Sequence, residues 1–485
     1  MKNILRCIII LIVVMSGSVC AQIQDWPMLY GNKEQTAWAR LEDTLQPPLE
    51  EEKILVVQGL VNVSYHEMTW FDYTLCVGIQ RGTGVENLFA MFDTNAGNTL
   101  WTFAVPSSES GVYFAPAQND TLVFIGGQKG LGLYARDRLT GLQSWFHPMP
   151  NPFCRHPVLD GDRLYIVGDQ LKCLNVADGS VIWDVPFNAN VSLAVGDNNC
   201  YVCGNYQTVC YHKMNGTKIW SRYNSHLHYH CPVLYGGYLY THTSDSVIAY
   251  EKNTGNIHWV YETGVTYIGN NARSFLAVSD SVICCNVWNN VDKYSRLLAL
   301  NRADGSYHWH FDFENSIYTP VIANGVVYAV QEGVRDLYAF DLKTGTLLMR
   351  NDDHLYSFYP IVANHRLYVG TWDEGVVVFK NGSGTAVQSV QSTDAFQLQT
   401  NYPNPFNPST RITYSLPRPA QVELTIYNLQ GQMIKTLFNG FQTSGTQAVM
   451  WDGRDEQDQK MVSGQYIYRI EAGEYNKSGK MMLTR

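Results

Sequence analysis

The sequence predicts an all-β chain: an eight-bladed, alternatively seven-bladed, β-propeller followed by a small Ig-like β-sandwich. Three observations predict it. A glycine–tryptophan phrase recurs about every forty residues, apolar residues alternate on both sides of each copy, and the composition changes after Lys380. The 485 residues exceed one ordinary core of ~100–200 residues, so several domains or one large repeat fold is expected. Charged residues make up only 16% and aromatic residues 13%, the reverse of a disordered chain. Net charge is −9 and no basic block is present, which excludes nucleic acid as a partner, because phosphate neutralisation needs clustered Lys and Arg.

Residues 1–21 read as a secretory signal peptide. Lys2 and Arg6 form the basic start, Cys7 to Met15 the apolar run, and Val19-Cys20-Ala21 the small-residue cleavage site. The apolar run is shorter than the ~20 residues of a spanning helix, and no transmembrane segment is expected in the mature chain. A lipoprotein acylated at Cys20 is the rival, poorly fitted by Gly17 and Val19. Of the 11 cysteines, Cys7 and Cys20 leave with the signal. The odd number that remains cannot all pair within one chain, and most read as strand fillers.

The repeat phrase is two apolar residues, a polar residue, four steps to Gly and four more to Trp. It runs through Gly97 and Trp101, Gly141 and Trp145, Gly179 and Trp183, Gly216 and Trp220, Gly255 and Trp259, and Gly305 and Trp309. A seventh copy has Gly345 followed by Met349. The polar-x-x-x-Gly stretch is a hairpin turn, with Asp or Asn bonding local backbone and Gly taking positive φ. Each unit opens with an apolar strand, often led by proline, as in His156-Pro157-Val158-Leu159 and Tyr359-Pro360-Ile361-Val362. Four strands per forty residues make a propeller blade, whereas a helical solenoid would show 3.6-spaced stripes. The eighth unit, Tyr359 to Lys380, stops after three strands. The segment near Ile54-Leu55-Val56-Val57 is expected to supply the missing outer strand and close the ring. Seven blades is the count if Glu67 to Trp101 is not a full blade.

Together with Asp25-Trp26-Pro27-Met28-Leu29-Tyr30-Gly31-Asn32, these copies make residues 22–380 resemble the PQQ-like (quinoprotein dehydrogenase-like) propeller family. The resemblance implies that Trp101, Trp145, Trp183, Trp220, Trp259 and Trp309 dock neighbouring blades. It brings PQQ and calcium as the cofactors of the alternative reading, a quinoprotein dehydrogenase; no cofactor is expected on the first reading. Cys284-Cys285 bear on that choice, since vicinal disulfides lie beneath the cofactor in some PQQ alcohol dehydrogenases. Here the pair sits within a strand, where neighbours face opposite sides.

Asn381 to Ala395 is rich in Gly, Ser, Thr and Gln and reads as a linker; residues 396–485 form the last module. Its prolines at 403, 405 and 408 break regular structure, and short alternating strands follow, at Thr410 to Tyr414, Val422 to Tyr427, Ala448 to Trp451, Gln465 to Ile470 and Lys480 to Leu483. The Asn401–Phe406 opening, Ile426-Tyr427-Asn428-Leu429-Gln430-Gly431-Gln432, Trp451-Asp452-Gly453, Ser463-Gly464-Gln465-Tyr466 and the Lys480-Met481-Met482-Leu483 ending resemble a type IX secretion C-terminal sorting domain of the type A, FlgD-like class. The resemblance implies export across both membranes, with the type IX machinery as partner and a secreted or surface-attached product. Asp452, Asp455, Glu456 and Asp458 lack the spacing of an EF-hand and read as a solvated turn.

Function is expected at the funnel rim, where each blade's first strand enters. Aligned on the proline-led strand, the equivalent positions are Glu67, Ala115, His156, Val191, Cys231, Ser274, Thr319 and Tyr359. Just upstream lie Tyr113, Phe114, Arg155, His228, His230, Arg273, Tyr318 and Phe358. An aromatic, partly cationic rim suits a protein, glycan or small polar ligand. His226, His228 and His230 share one strand face, but ~6.6–7 Å steps keep all three from one ion, so no metal site is expected. Cys200 and Cys203 lack the second pair that zinc needs. No Walker loop, H-E-x-x-H or G-x-S-x-G occurs. The reading is a non-enzymatic secreted binding protein, with an envelope-assembly scaffold as the further alternative.

Overall fold

A computed structural model of the chain describes residues 31–32, 38–39, 44–60, 63–81, 87–105, 115–126, 132–149, 155–168, 170–187, 193–204, 206–224, 231–264, 276–289, 294–372, 374–382, 397–398, 401, 404–416, 420–442, 445–457, 459–473 and 475–484. The expected signal peptide, residues 1–21, lies outside them. Among these residues, every regular element is a β-strand.

Residues 63–105 form the first four-stranded antiparallel sheet, blade 1. Residues 117–148, 155–186, 193–223, 233–262, 277–313 and 321–351 form blades 2 to 7 in the same meander order. Tyr356–Ala363, Arg366–Thr371 and Val376–Asn381 make three strands of blade 8. Its fourth is Leu49–Leu55, antiparallel to the third with Leu55 opposite Val376 and Glu50 opposite Lys380. The expected closing strand is therefore supplied by the N-terminal segment. Blades 8 and 1 also pack through their inner strands. A further short strand, Trp38–Ala39, lies parallel to the inner strand of blade 7. It was not expected, since two residues carry no readable periodicity.

The repeat phrase works as a joint. In each copy the glycine amide bonds the carbonyl of the polar residue four positions earlier, as Gly141 does to Asp137 and Gly345 to Asp341. The Asp137 and Asp341 carboxylates also accept backbone amides of their own turns. The tryptophan of one blade lies on the glycine of the next, its indole N–H donating to the carbonyl one residue past the polar turn residue. Thus Trp101 donates to Arg138, Trp145 to Val176, Trp183 to Lys213, Trp220 to Lys252, Trp259 to Arg302 and Trp309 to Leu342, at 2.9–3.2 Å. Burying each ring contributes a few kcal/mol at ~25 cal/mol per Å².

Two junctions depart from the pattern for one reason. Blade 8 is stitched from two chain segments, so it has no polar-x-x-x-Gly turn, and Met349 of blade 7 has no glycine to rest on. Asn381 stands in for the turn: its Oδ1 accepts the Gln46 amide and its Nδ2 donates to the Thr44 carbonyl. On the other side, Lys53 of the closing strand donates to the Thr94 carbonyl of blade 1. That is the position a tryptophan N–H reaches at the other joints.

Three consecutive glutamates fix the closing strand. Glu50 pairs with Lys380 at 3.3 Å. Glu52 holds Arg366 through two bonds, which keeps the Glu52 carboxyl below its ordinary range against the opposing effect of burial. Glu51 and Glu374 flank His354, at 2.9 Å from Nε2 and 2.5 Å from Nδ1. Burial disfavours the imidazolium, but the two carboxylates outweigh it, and the pKa of His354 is raised above its ordinary value. A raised folded-state value stabilises fully below the unfolded pKa of ~6.5 and is lost as pH rises through the folded value. Stability is expected to fall by about 1 kcal/mol or less between pH 6 and pH 8.5, since both carboxylates are half exposed. The H354Q variant should flatten that slope in urea midpoints; an unchanged slope contradicts the bridge.

The last module has its own core around Trp451, with Phe406 and Tyr466 rings at 5.5 and 5.1 Å. Gln397–Leu398, Thr410–Leu416 and Gly445–Trp451 form one sheet. Met433–Gln442, Ala420–Asn428, Gly464–Ala472 and Tyr475–Leu483 form the other. The Met433–Gln442 strand was missed in the sequence, because two irregularities in its pairing and a mostly half-exposed course blur its alternation. Asp452, Asp455 and Glu456 accept local and cross-strand backbone amides, as a turn does.

Candidate functional site

The inner strands of blades 1, 3 and 8 each break register at one place: between Tyr65 and Met68, between Arg155 and Val158, and between Ser357 and Ile361. A bulge adds residues and re-aims their side chains. The bulged residues include Glu67, His156 and Tyr359, the positions aligned from the sequence. His156 and Phe358 adopt φ of 34° and 57°, a region that non-glycine residues rarely enter, so their geometry is imposed by the surrounding sheet.

The described positions of the aligned set, Glu67, Ala115, His156, Cys231, Thr319 and Tyr359, are all buried. His156 serves partly as a blade-to-blade link, its Nδ1 accepting the Ala115 amide at 3.0 Å. Phe114, Val191, Ser274, Arg273 and the His226, His228, His230 row lie outside the described residues, as does Tyr113, and only the backbone of Arg155 is described.

Tyr318 and Tyr359 meet. Phe358 stacks on Tyr318 at 5.0 Å, Tyr359 stands edge-on to both at 6.1 Å, and His66 lies 4.0 Å from Phe358. Blades 7, 8 and 1 thus share one aromatic wall, with Glu67 beside it in the chain. Two further residues lie in turns of blades 7 and 8. Trp372, in the turn after the second strand of blade 8, is 39% exposed and bridges through its backbone to Ser64 of blade 1. The Arg335 guanidinium lies 4.0 Å over the Trp372 ring. Both were missed: they sit in turns outside the repeat phrase. The signal available was that Trp372 is a tryptophan with no place in that phrase.

The opposite end of the ring is covered near these blades. Thr44 meets His365, Gln46 donates to the Asn324 carbonyl, and Asn324 donates to the Leu45 carbonyl, so the N-terminal segment runs across the turns of blades 7 and 8. The aromatic wall is at the other end.

Cys284 and Cys285 are fully buried on opposite faces, in different parts of the core, paired with Ala299 and Leu298. Burial raises the Cys284 thiol well above its ordinary pKa and pushes Cys285 up to about 12. The eight described cysteines are buried and form no disulfide among the described residues. Opposed side chains do not fit a vicinal disulfide. Cys200 and Cys203 fill strand interior; burial raises both, Cys203 to about 12.

Residues 86–186 and 272–401 match the family described as outer membrane protein assembly factor BamB, and residues 404–476 match the FlgD Ig-like domain. No curated protein matches this chain. Among solved structures, BamB from Moraxella catarrhalis is similar at 16% identity and a TM-score of 0.53, covering 70% of this chain and 99% of that one. A europium-containing methanol dehydrogenase is similar at 11% identity and TM-score 0.57, over 73% and 90%. The quinohemoprotein alcohol dehydrogenase from Comamonas testosteroni gives 13% and 0.57, over 76% and 83%. At these identities the likeness is one of fold. The chain carries a PQQ-like β-propeller followed by a FlgD Ig-like domain.

Proposed function

We propose that this chain is a secreted or surface-attached binding protein, exported through the type IX machinery by its last module, which takes its ligand at the rim of blades 7, 8 and 1. The observation that carries the binding site is the half-exposed Trp372 under an arginine, at the end of blades 7, 8 and 1 where the buried rings of Tyr318, Phe358 and Tyr359 pack together. Aromatic faces beside a cation, at the end of the ring away from the N-terminal segment, suit a polar ligand with apolar faces. The propeller fold supports an interaction or assembly role. An envelope-assembly scaffold is the second reading, favoured by the match to the BamB family description.

The labelled mature chain, probed against glycan and peptide arrays, should give hits that W372A loses while its thermal midpoint holds. Hits kept by W372A, or none at all, contradict rim binding. Deleting residues 396–485 should trap the protein inside the producing cell; full release contradicts the export assignment.

A further inference from the structure

Within the rim reading, Arg335 is the residue whose chemistry is incomplete. It sits in the turn between the second and third strands of blade 7 at φ 66°, a strained conformation for a residue with a long side chain. Its backbone carbonyl accepts the Tyr356 amide of blade 8, which fixes the turn against the next blade. The side chain is half-buried over Trp372, yet buried Nη1 has no hydrogen-bond partner among the described residues. An unsatisfied buried donor costs ~1–3 kcal/mol, more when charged.

The neighbouring acids do not meet this need. Asp336 is taken by Arg350, at 2.7 and 2.8 Å, and by the Tyr338 hydroxyl. Glu374 is held by His354. Glu332, exposed in the same turn, favours the Arg335 charge from a distance but makes no ion pair with it among the described residues. Among the described residues, the group the guanidinium lies over is the Trp372 ring; Asp373 lies outside them. A guanidinium held over an indole keeps the N–H groups that do not meet the ring for an oxyanion arriving beside it.

We propose that Arg335 and Trp372 form a subsite for a uronic-acid residue of an acidic saccharide. The carboxylate takes the Arg335 N–H groups and the pyranose C–H face lies against the exposed part of the Trp372 ring. A sugar with its carboxylate on the ring presents both features at this spacing. A peptide C-terminus also offers a carboxylate, and the test below separates it from the sugar.

The test is calorimetric titration of the full mature chain with trigalacturonate, the neutral galactose trimer, and an aromatic tripeptide with a free C-terminus. Trigalacturonate should bind at least about 10-fold more tightly than the neutral trimer, and binding should weaken with salt. R335Q should lose about 10-fold or more for the acidic trimer, removing its advantage over the neutral trimer. R335K, a point charge without the planar fork, should recover only part of the loss. Both variants should keep the wild-type thermal midpoint. Equal affinity for the two sugars, or full retention in R335Q, overturns the proposal. Arginine-dependent binding of the tripeptide without the sugar overturns the saccharide class and leaves rim binding standing, whereas array hits indifferent to W372A remove rim binding itself.

Discussion

A chain that begins at Val63 is expected to lose its cooperative fold. It lacks the outer strand of blade 8, and with it Leu45, Leu55 and Val57, all buried in the main core. Each such side chain contributes ~1.5–3 kcal/mol. Their sum of about 4.5–9 kcal/mol is comparable to the ~5–15 kcal/mol that holds a typical folded protein. The truncation also leaves Arg366 without Glu52, breaks the Lys53 bond to the Thr94 carbonyl, and exposes an unpaired strand edge at Val376–Asn381. Limited proteolysis and urea titration should show early cleavage and a broadened, shifted transition. A peptide spanning residues 44–58, added in trans, should restore part of the midpoint. A truncated chain that unfolds like the intact one contradicts the closing role of Leu49–Leu55.

The Gly305→Ala variant should cost about 2–5 kcal/mol, and Gly161→Ala only about 1–2. Both glycines have positive φ, 71° and 63°, so an added Cβ costs ~1–2 kcal/mol of backbone strain in either place. They differ in what the Cβ meets. At Gly305 it would lie 2.5 Å from the Trp259 ring, and at Gly161 nothing lies within 4 Å. Displacing an indole from a packed joint adds ~1–3 kcal/mol. Trp259 donates to the Arg302 carbonyl at the same joint, so a displaced ring weakens that bond too. Urea midpoints of the two variants, compared with the parent, separate strain from overpacking. Equal losses would show that the blade joints do not rest on the ring–glycine contact.

The parts of the fold that were legible in the sequence are those where local chemistry and packing use the same residues. The hairpin turn needs an Asp or Asn and a positive-φ glycine, and the joint needs that glycine bare so that a tryptophan can lie on it. One phrase therefore carries both signals. The closing strand was legible by a different route, as the unit that ended one strand short. Lys53 and Met349 were not, because they mark where the turn is replaced by two chain ends, and no periodicity reports a turn that is absent. Glu67, His156 and Tyr359 follow from the repeat alignment, and the register breaks of three inner strands fall on those positions. Arg335 and Trp372 lie in turns that vary from blade to blade. Their proximity comes from stacking blade 7 on blade 8, a relation no single repeat encodes.

Ring closure can be tested by a cross-link. Glu50 and Lys380 face each other in the register of blade 8, and directly opposed antiparallel residues have Cα atoms ~4.5–5.5 Å apart, within disulfide reach. In a chain with Cys at both positions, mild oxidation should form an intrachain disulfide that runs faster on non-reducing gels and raises the thermal midpoint. The eight described native thiols are buried and should be spared. A chain that forms no bond between these positions, or joins them only between two molecules, contradicts a ring closed by its N-terminal strand.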